Sequence, residues 1–266
     1  GVSVGWRINE ESFMQDAPFD ELKLRLSYGA VGNTAIDPYQ TSGGLSRAVY
    51  SWGGTNAYGF QLDAIANNTL GWEISKTLDF GLDYSLMGGN ITGAIDIYQT
   101  TTTDLLLSRS LPFTSGYSSV FQNIGATQTS GVEFGINAVI IDNPDGFSFD
   151  VNLNLAGYTE EITELATKDA NGKPVDDAGN EWFIGQPVRV FYDYKKAGIY
   201  QTSEAALAAS MEGKNPGEIK LLDYDKNGQI TPDDRHVVGT DIPDFFGGLT
   251  TNFSYKNWDL SAFFYF

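Results

Sequence analysis

The sequence predicts an all-β fold: about eight antiparallel strands from the wall of a larger transmembrane β-barrel, carrying long extracellular loops. Three observations lead there. Apolar and polar residues alternate over runs longer than an ordinary globular strand of about 5–6 residues. Short turns and long connections take turns along the chain. No run of about 18 apolar residues occurs, so any membrane crossing must use strands rather than a helix.

The alternation is clearest over 72–86. Even positions read Trp72, Ile74, Lys76, Leu78, Phe80, Leu82, Tyr84 and Leu86; odd positions read Glu73, Ser75, Thr77, Asp79, Gly81, Asp83 and Ser85. Successive strand residues point to opposite faces, so one face is apolar with a single lysine and the other is polar and acidic. At roughly 3.3 Å per residue this run spans about 50 Å, more than the roughly 9–11 tilted residues that cross a bilayer. A second run sets Phe147, Phe149, Val151, Leu153 and Leu155 against Ser148, Asp150, Asn152 and Asn154. Similar runs cover 2–8, 22–28, 91–98, 132–140, 249–255 and 258–266. Phe80, Leu82, Phe149, Val151 and Leu153 are therefore expected to face outer-membrane lipid. Asp79, Asp83, Asp150 and Asn152 are expected to face the lumen.

The short connections are Gly88-Gly89-Asn90, Asn143-Pro144-Asp145-Gly146 and Lys256-Asn257, all turn-forming residues. The long ones cover 30–71, 105–128 and 160–246, and all fall at one end of the sheet; 9–20, of intermediate length, falls at the other. Outer-membrane barrels have short periplasmic turns and longer extracellular loops, which puts the long connections outside. Thr100 to Thr103 reads as the outer end of a strand. A short helix is expected at Glu204-Ala205-Ala206-Leu207, capped by Ser203. Gly43-Gly44 and Gly53-Gly54 lack a phosphate-loop lysine and read as mobile loop. Tyr39, Tyr50, Trp52, Tyr58 and Phe60 are expected to pack among the loops rather than to form a sugar platform.

Composition excludes several classes of function. Cysteine is absent, which removes disulfides and thiolate metal sites. Acidic residues number 34 and basic residues 16, a net charge of -18, which repels nucleic acid. Half of the acids lie in 160–246, where they read as a solvated surface. The one histidine, His236, stands beside Arg235 in a charged loop, with no nucleophile elbow in the chain; it reads as solvated, and the chain as no enzyme. The chain opens without Met inside one strand-like run and closes inside another, the pattern expected of a piece of a longer protein.

One motif carries metal chemistry. Residues 223–234 follow the twelve-residue calcium-loop pattern, with Asp223, Asp225 and Asn227 at positions one, three and five. Gly228 stands at six, where the chain turns sharply. Gln229 at seven offers a backbone carbonyl, and Ile230 at eight is expected to anchor the loop. Asp234 at twelve replaces the usual bidentate glutamate with a side chain one methylene shorter. The plain alternative is an acidic Asx turn without an ion.

Several runs resemble one family. Leu22-Lys23-Leu24-Arg25-Leu26-Ser27-Tyr28-Gly29-Ala30-Val31-Gly32-Asn33 is similar to the "LKLRxSYGxxGN" strand of SusC/RagA-type TonB-dependent transporters. Leu70-Gly71-Trp72-Glu73 with Asp79-Phe80-Gly81-Leu82-Asp83 resembles "LxWExxxxxxxGLD". Asp96-Ile97-Tyr98 with Thr103-Asp104-Leu105-Leu106 resembles "DxYxxxTxDLL". Asn123-Ile124-Gly125 with Ser130-Gly131-Val132-Glu133 resembles "NxGxxxNxGxE", Ser130 departing from Asn. Gly198-Ile199-Tyr200-Gln201 stands where the family has "GIWQ". Pro216-Gly217-Glu218-Ile219-Lys220, followed by 223–234 and Gly239, resembles "PGDIKYxDxNGDGxIxxxD…G". The matches run in order over nearly the whole chain.

The resemblance implies that 1–266 is part of a single barrel domain of about 22 strands with a plug in its lumen. It also implies the outer membrane of a Gram-negative bacterium, a SusD-like surface lipoprotein partner, energy through TonB, and oligosaccharides or peptides as cargo. The competing reading is a secreted calcium-dependent carbohydrate-binding or adhesion module of β-sandwich type. A sandwich hides the apolar strand face in a core; a barrel leaves it bare for lipid.

Overall fold

The computed structural model describes residues 1–34, 40–143 and 145–266; Pro144 and Tyr39 lie outside them. Strands β1 (Val2–Arg7) and β2 (Phe19–Asn33) precede a hairpin of β3 (Gly44–Trp52) and β4 (Thr55–Ala64). After β5 (Glu73–Leu86) and β6 (Ile91–Thr103) comes a second hairpin, β7 (Leu106–Ser110) and β8 (Ser119–Asn123). Then follow β9 (Ala126–Ile141) and β10 (Phe147–Glu164). The last connection holds β11 (Phe191–Asp193), β12 (Lys196–Ile199), the helix α1 (Ala205–Met211), β13 (Ile219–Leu221) and β14 (His236–Gly239). The chain closes with β15 (Phe246–Tyr255) and β16 (Trp258–Tyr265).

One antiparallel sheet of eight strands, ordered β1-β2-β5-β6-β9-β10-β15-β16, forms the wall. Its strands are the eight read from the alternation. The register puts the apolar residues in rows: Leu26, Phe80, Ile97 and Val132 are successive cross-strand partners, as are Leu24, Leu82, Ile95 and Phe134. Among the described residues no second sheet covers these rows. Leu26 is 51% exposed, Phe80 46%, Ile97 52% and Val132 49%. A sandwich would bury them, so the bare face decides for a barrel wall. Towards the short-turn end the same face carries Phe147, Phe149, Phe253, Tyr255 and Trp258, with Phe149 and Phe253 stacked at 4.6 Å. Outer-membrane barrels carry such aromatic girdles at their interfaces. Towards the long-loop end the face turns polar along the row Leu78, Gln99, Ser130 and Thr159. The strands continue past that row, and β10 runs 18 residues.

The opposite face carries the charge. Arg25 on β2 reaches across two strands, to Asp83 at 2.9 Å and Asp96 at 2.7 Å. Its guanidinium lies over Gly81, where a Cβ would stand 2.5 Å from Arg25 Cζ, so glycine makes room for this clasp. Further along, Asn252 donates to Asp150 at 2.7 Å, Asn152 bonds Asn137, and Ser261 donates to Asn252 at 2.7 Å.

The turns follow from local chemistry. Met87, Gly88 and Gly89 take positive φ in succession, and the Gly88 and Gly89 N–H groups converge on Asp20 Oδ2 at 2.7 and 3.2 Å. Several expectations for the long loops need correction. Strands β2, β6, β9 and β10 extend well beyond their alternating cores, so 160–164 is strand and not loop. The first two long connections fold into hairpins, and Gly53-Gly54 is a defined hairpin tip. Tyr50, Trp52, Tyr58 and Phe60 do not pack among the loops; all four stand exposed on that ribbon. Thr100 to Thr103 does end β6, as read.

Apolar side chains meet in a small cluster above the wall. Ile162, from the extension of β10, packs with Ile124, Leu165 and Trp182, flanked by Leu107 and Val188. This cluster joins the second hairpin to the last loop.

Two substitutions in the intact protein test the orientation. Leu82→Arg should lower barrel stability by about 2–4 kcal/mol if it lies near the bilayer midplane. Asn154→Arg, on the other face, should cost about 1 kcal/mol or less. Heat-modifiability on gels reads the folded fraction, and equal losses would contradict the assignment.

Candidate metal centre

Residues 223–234 lie between β13 and β14, which belong to different two-stranded sheets, so the segment must turn back on itself over a short span. Asp223 and Asp225 provide the turn by accepting backbone N–H groups in place of sheet partners. Asn227 N–H reaches Asp223 Oδ1 at 3.1 Å and Asp225 Oδ1 at 3.0 Å; Gly228 N–H reaches Asp223 Oδ2 at 2.8 Å. Gly228 takes φ +85°, a conformation glycine adopts without strain, and Lys226 before it takes φ +60°.

Three of the five residues expected around a cation converge: carboxylate oxygens of Asp223, Asp225 and Asp234 all lie within 4.8 Å of one another. Asn227 is tied into the group, its Nδ2 donating to Asp225 Oδ2 at 2.7 Å, while its Oδ1 accepts the Gln229 N–H at 2.8 Å. Gln229 is held on the same turn through its backbone N–H. A carboxylate oxygen has two lone pairs, so one that accepts a single N–H keeps capacity for a cation.

Asp234 is the most constrained member. It is fully buried and takes backbone N–H bonds from Tyr224 at 2.8 Å and Thr231 at 2.7 Å, closing the loop from both sides. The Thr231 N–H above all, with those of Tyr224 and Asp225, favours its charged form and holds its pKa below the ordinary aspartate value; burial opposes this without reversing it. Thr231 caps the 3-10 turn Pro232–Asp234, its Oγ1 accepting the Asp233 N–H.

His236 is not solvated as expected. It is half-buried, stacked on Tyr224 at 4.2 Å, with Nδ1 3.2 Å from the Asp234 carbonyl oxygen. The stack ties the start of the loop to the first residue of β14. Spacing alone could not reveal it, because Tyr224 and His236 are brought face to face only by the reversal of the chain. Ile230 is half-buried, and its N–H reaches Met211 C=O at the end of α1. The helix forms where expected, but its opening 3-10 turn, Thr202–Glu204, is capped from Gln201, whose N–H donates to Glu204 Oε2 at 2.9 Å. Ser203 lies inside that turn.

A family model described as "TonB dependent receptor-like, beta-barrel" matches residues 1–265. The chain belongs to this family of TonB-dependent receptor β-barrels. TonB-dependent receptor P26 of Formosa agariphila is 35% identical over 99% of this chain and 27% of its own length. TonB-dependent receptor SusC of Bacteroides thetaiotaomicron is 32% identical over 98% of the chain and 26% of its own length. Among solved structures, the RagAB peptide transporter matches with a TM-score of 0.77 and 24% identity over 99% of this chain and 28% of that one. That likeness bears on fold. The chain spans about a quarter of the length of these relatives. The comparisons agree with the SusC/RagA resemblance carried by the motifs.

The lowered pKa of Asp234 has a consequence for stability. A depressed folded-state value stabilises the loop above the ordinary aspartate pKa of about 4. The contribution is lost as pH falls through the lower folded value. Hydrogen exchange at the Tyr224 and Thr231 amides should therefore lose protection below about pH 4. In Asp234→Asn this acid step should vanish; an unchanged step would contradict the role given to Asp234.

Proposed function

We propose that this chain forms part of the barrel wall and extracellular loops of a TonB-dependent importer in the outer membrane of a Gram-negative bacterium. Its cargo would be oligosaccharides or peptides. The observation that carries this is the bare apolar face of an eight-stranded antiparallel sheet, backed by a charged, hydrogen-bonded opposite face. Lipid demands such a surface outside, and a water-filled or plugged lumen demands the other. The first and last strands of the sheet, β1 and β16, would pair with further strands of the same barrel, since lipid cannot satisfy backbone groups. A plug in the lumen would contact TonB, and a SusD-like surface lipoprotein would meet the long loops.

One solved neighbour is a peptide transporter, which supports the peptide arm of this reading, while the oligosaccharide arm rests on the resemblance of the motifs. The test is uptake of labelled oligosaccharides and peptides by cells with and without the intact receptor, with and without TonB. Receptor- and TonB-dependent uptake is expected, and equal uptake in all strains would overturn the reading.

The second part of the proposal is that 223–234 holds one calcium ion. The donor set is all oxygen, carried by Asp223, Asp225, Asn227 and Asp234 with the Gln229 carbonyl, and suits a hard cation wanting about 6–8 ligands. Three carboxylates this close repel one another, which a cation relieves. Its role would be structural, fixing the loop between α1 and β14. Extracellular calcium modules bind at about 10⁻⁴–10⁻³ M. Calorimetry on the intact protein should give saturable binding in that range, and Asp225→Ala should weaken it tenfold or more. No binding heat at millimolar calcium would reduce the site to an acidic turn.

A further inference from the structure

The chain has two Asn-Gly pairs, Asn171-Gly172 and Asn227-Gly228, both in the last long connection. We propose that Asn227 is a self-modifying site, at which the loop converts its own asparagine to aspartate and isoaspartate with water as the only co-reactant. The two pairs are alike in exposure and in backbone. Both asparagines are open to water. Both glycines take positive φ, +85° at Gly228 and +78° at Gly172. Beyond the chain neighbours, no atom lies within 4 Å of where a Cβ would stand on either, so nothing shields the nitrogen that follows the asparagine. The difference lies in the hydrogen bonds.

At Asn227 three bonds stand where the reaction needs them. Oδ1 accepts the Gln229 N–H at 2.8 Å, which folds the side chain back over the Asn227–Gly228 peptide and brings its Cγ towards the Gly228 nitrogen. Negative charge grows on that oxygen as the nitrogen attacks, and the Gln229 N–H already points at it. The Gly228 N–H donates to Asp223 Oδ2 at 2.8 Å, an acceptor placed to take the proton this nitrogen must lose. Nδ2, the leaving group, donates to Asp225 Oδ2 at 2.7 Å. Asn171 lacks the first two. The Gly172 N–H closes a turn on the Asp169 carbonyl at 3.0 Å, a group that takes no proton near neutral pH. Among the described residues no N–H donates to the Asn171 side-chain oxygen; its own N–H is held by Asp169 Oδ1 at 2.8 Å.

The reaction balances without an oxidant or a reductant. The Gly228 nitrogen forms a bond to Asn227 Cγ, the Cγ–Nδ2 bond breaks, and ammonia leaves with the proton that Gly228 gave up. Water then opens the cyclic imide at either carbonyl, giving aspartate or isoaspartate. The carboxylates of Asp223 and Asp225 repel the growing negative charge; the proton passing to Asp223 removes one of the two. Aspartate at 227 adds a fourth carboxylate beside three whose oxygens already lie within 4.8 Å of one another. Isoaspartate lengthens the main chain by one carbon, which breaks the spacing that sets the Gly228 N–H on Asp223. Each product changes the loop in one direction only, so the loop ages with the receptor that carries it.

The experiment is peptide mapping by mass spectrometry of the intact receptor, incubated in detergent near neutral pH in water enriched in heavy oxygen. A chelator keeps cations out of the loop, so the outcome does not depend on whether calcium binds there. Uptake of the heavy oxygen marks conversion during the incubation. Asn227 should convert tenfold or more faster than Asn171 in the folded receptor. The two rates should converge in the denatured receptor, where both pairs are plain Asn-Gly peptides. Asp223→Asn should slow Asn227 fivefold or more and leave Asn171 unchanged. Three results overturn the inference: Asn227 converts no faster than Asn171 in the folded receptor, Asn227 converts faster in the denatured receptor than in the folded one, or Asp223→Asn leaves its rate unchanged. The first two need no substitution, so they decide even where Asp223→Asn disturbs the loop.

Discussion

Everything in the wall depends on one constraint: in hydrocarbon, a backbone N–H or C=O without a partner costs several kcal/mol, on the order of an unmade hydrogen bond in an apolar medium. A helix meets that demand within itself; a strand meets it only through its neighbours. The order β1-β2-β5-β6-β9-β10-β15-β16 pairs each strand with the next wall strand along the chain, so every connection is a simple hairpin, long or short. Once the backbone is satisfied in this way, side chains are free to split between two solvents. That is why leucine, isoleucine and phenylalanine stand exposed on one face without a core to cover them, and why Arg25 can hold two aspartates on the other.

The same strands also build the outer body. Where the lipid-side row turns polar at Gln99, Ser130 and Thr159, the strands continue, and their extensions become a scaffold. Ile162 at the top of β10 gathers Trp182, Leu165 and Ile124 into the one apolar cluster among the described residues. The connection that returns from it carries the acidic loop at 223–234. That site needs no domain of its own; it is held by short two-stranded ribbons and by side chains that cap backbone groups, Asp234 foremost.

Legibility in the sequence followed the strength of the local physical signal. The wall strands were readable because lipid enforces a strict period of two, as in 72–86. Their outer ends were not, because beyond the bilayer both faces meet water and the alternation fades, as in 156–164 of β10. The hairpin over 44–64 was hidden for a related reason: its first strand carries apolar residues on both faces, the alternation of Tyr58, Phe60 and Leu62 is short, and Gly53-Gly54 resembled loose loop. In 223–234, the spacing was enough to name three carboxylates that come together, Asp223, Asp225 and Asp234. The Tyr224–His236 stack was not legible, since it arises from how the chain folds back.

The central claim is that 78–84 runs along a wall between lipid and lumen. The chain has no cysteine, so single cysteines can be introduced at successive positions of the intact receptor in bilayers and spin-labelled. Collisional accessibility should alternate: oxygen, which partitions into lipid, should reach labels at Leu78, Phe80, Leu82 and Tyr84, and a water-soluble nickel complex should reach those at Asp79, Gly81 and Asp83. Accessibility to the water-soluble agent at every position, or a profile without a period of two, would contradict the account.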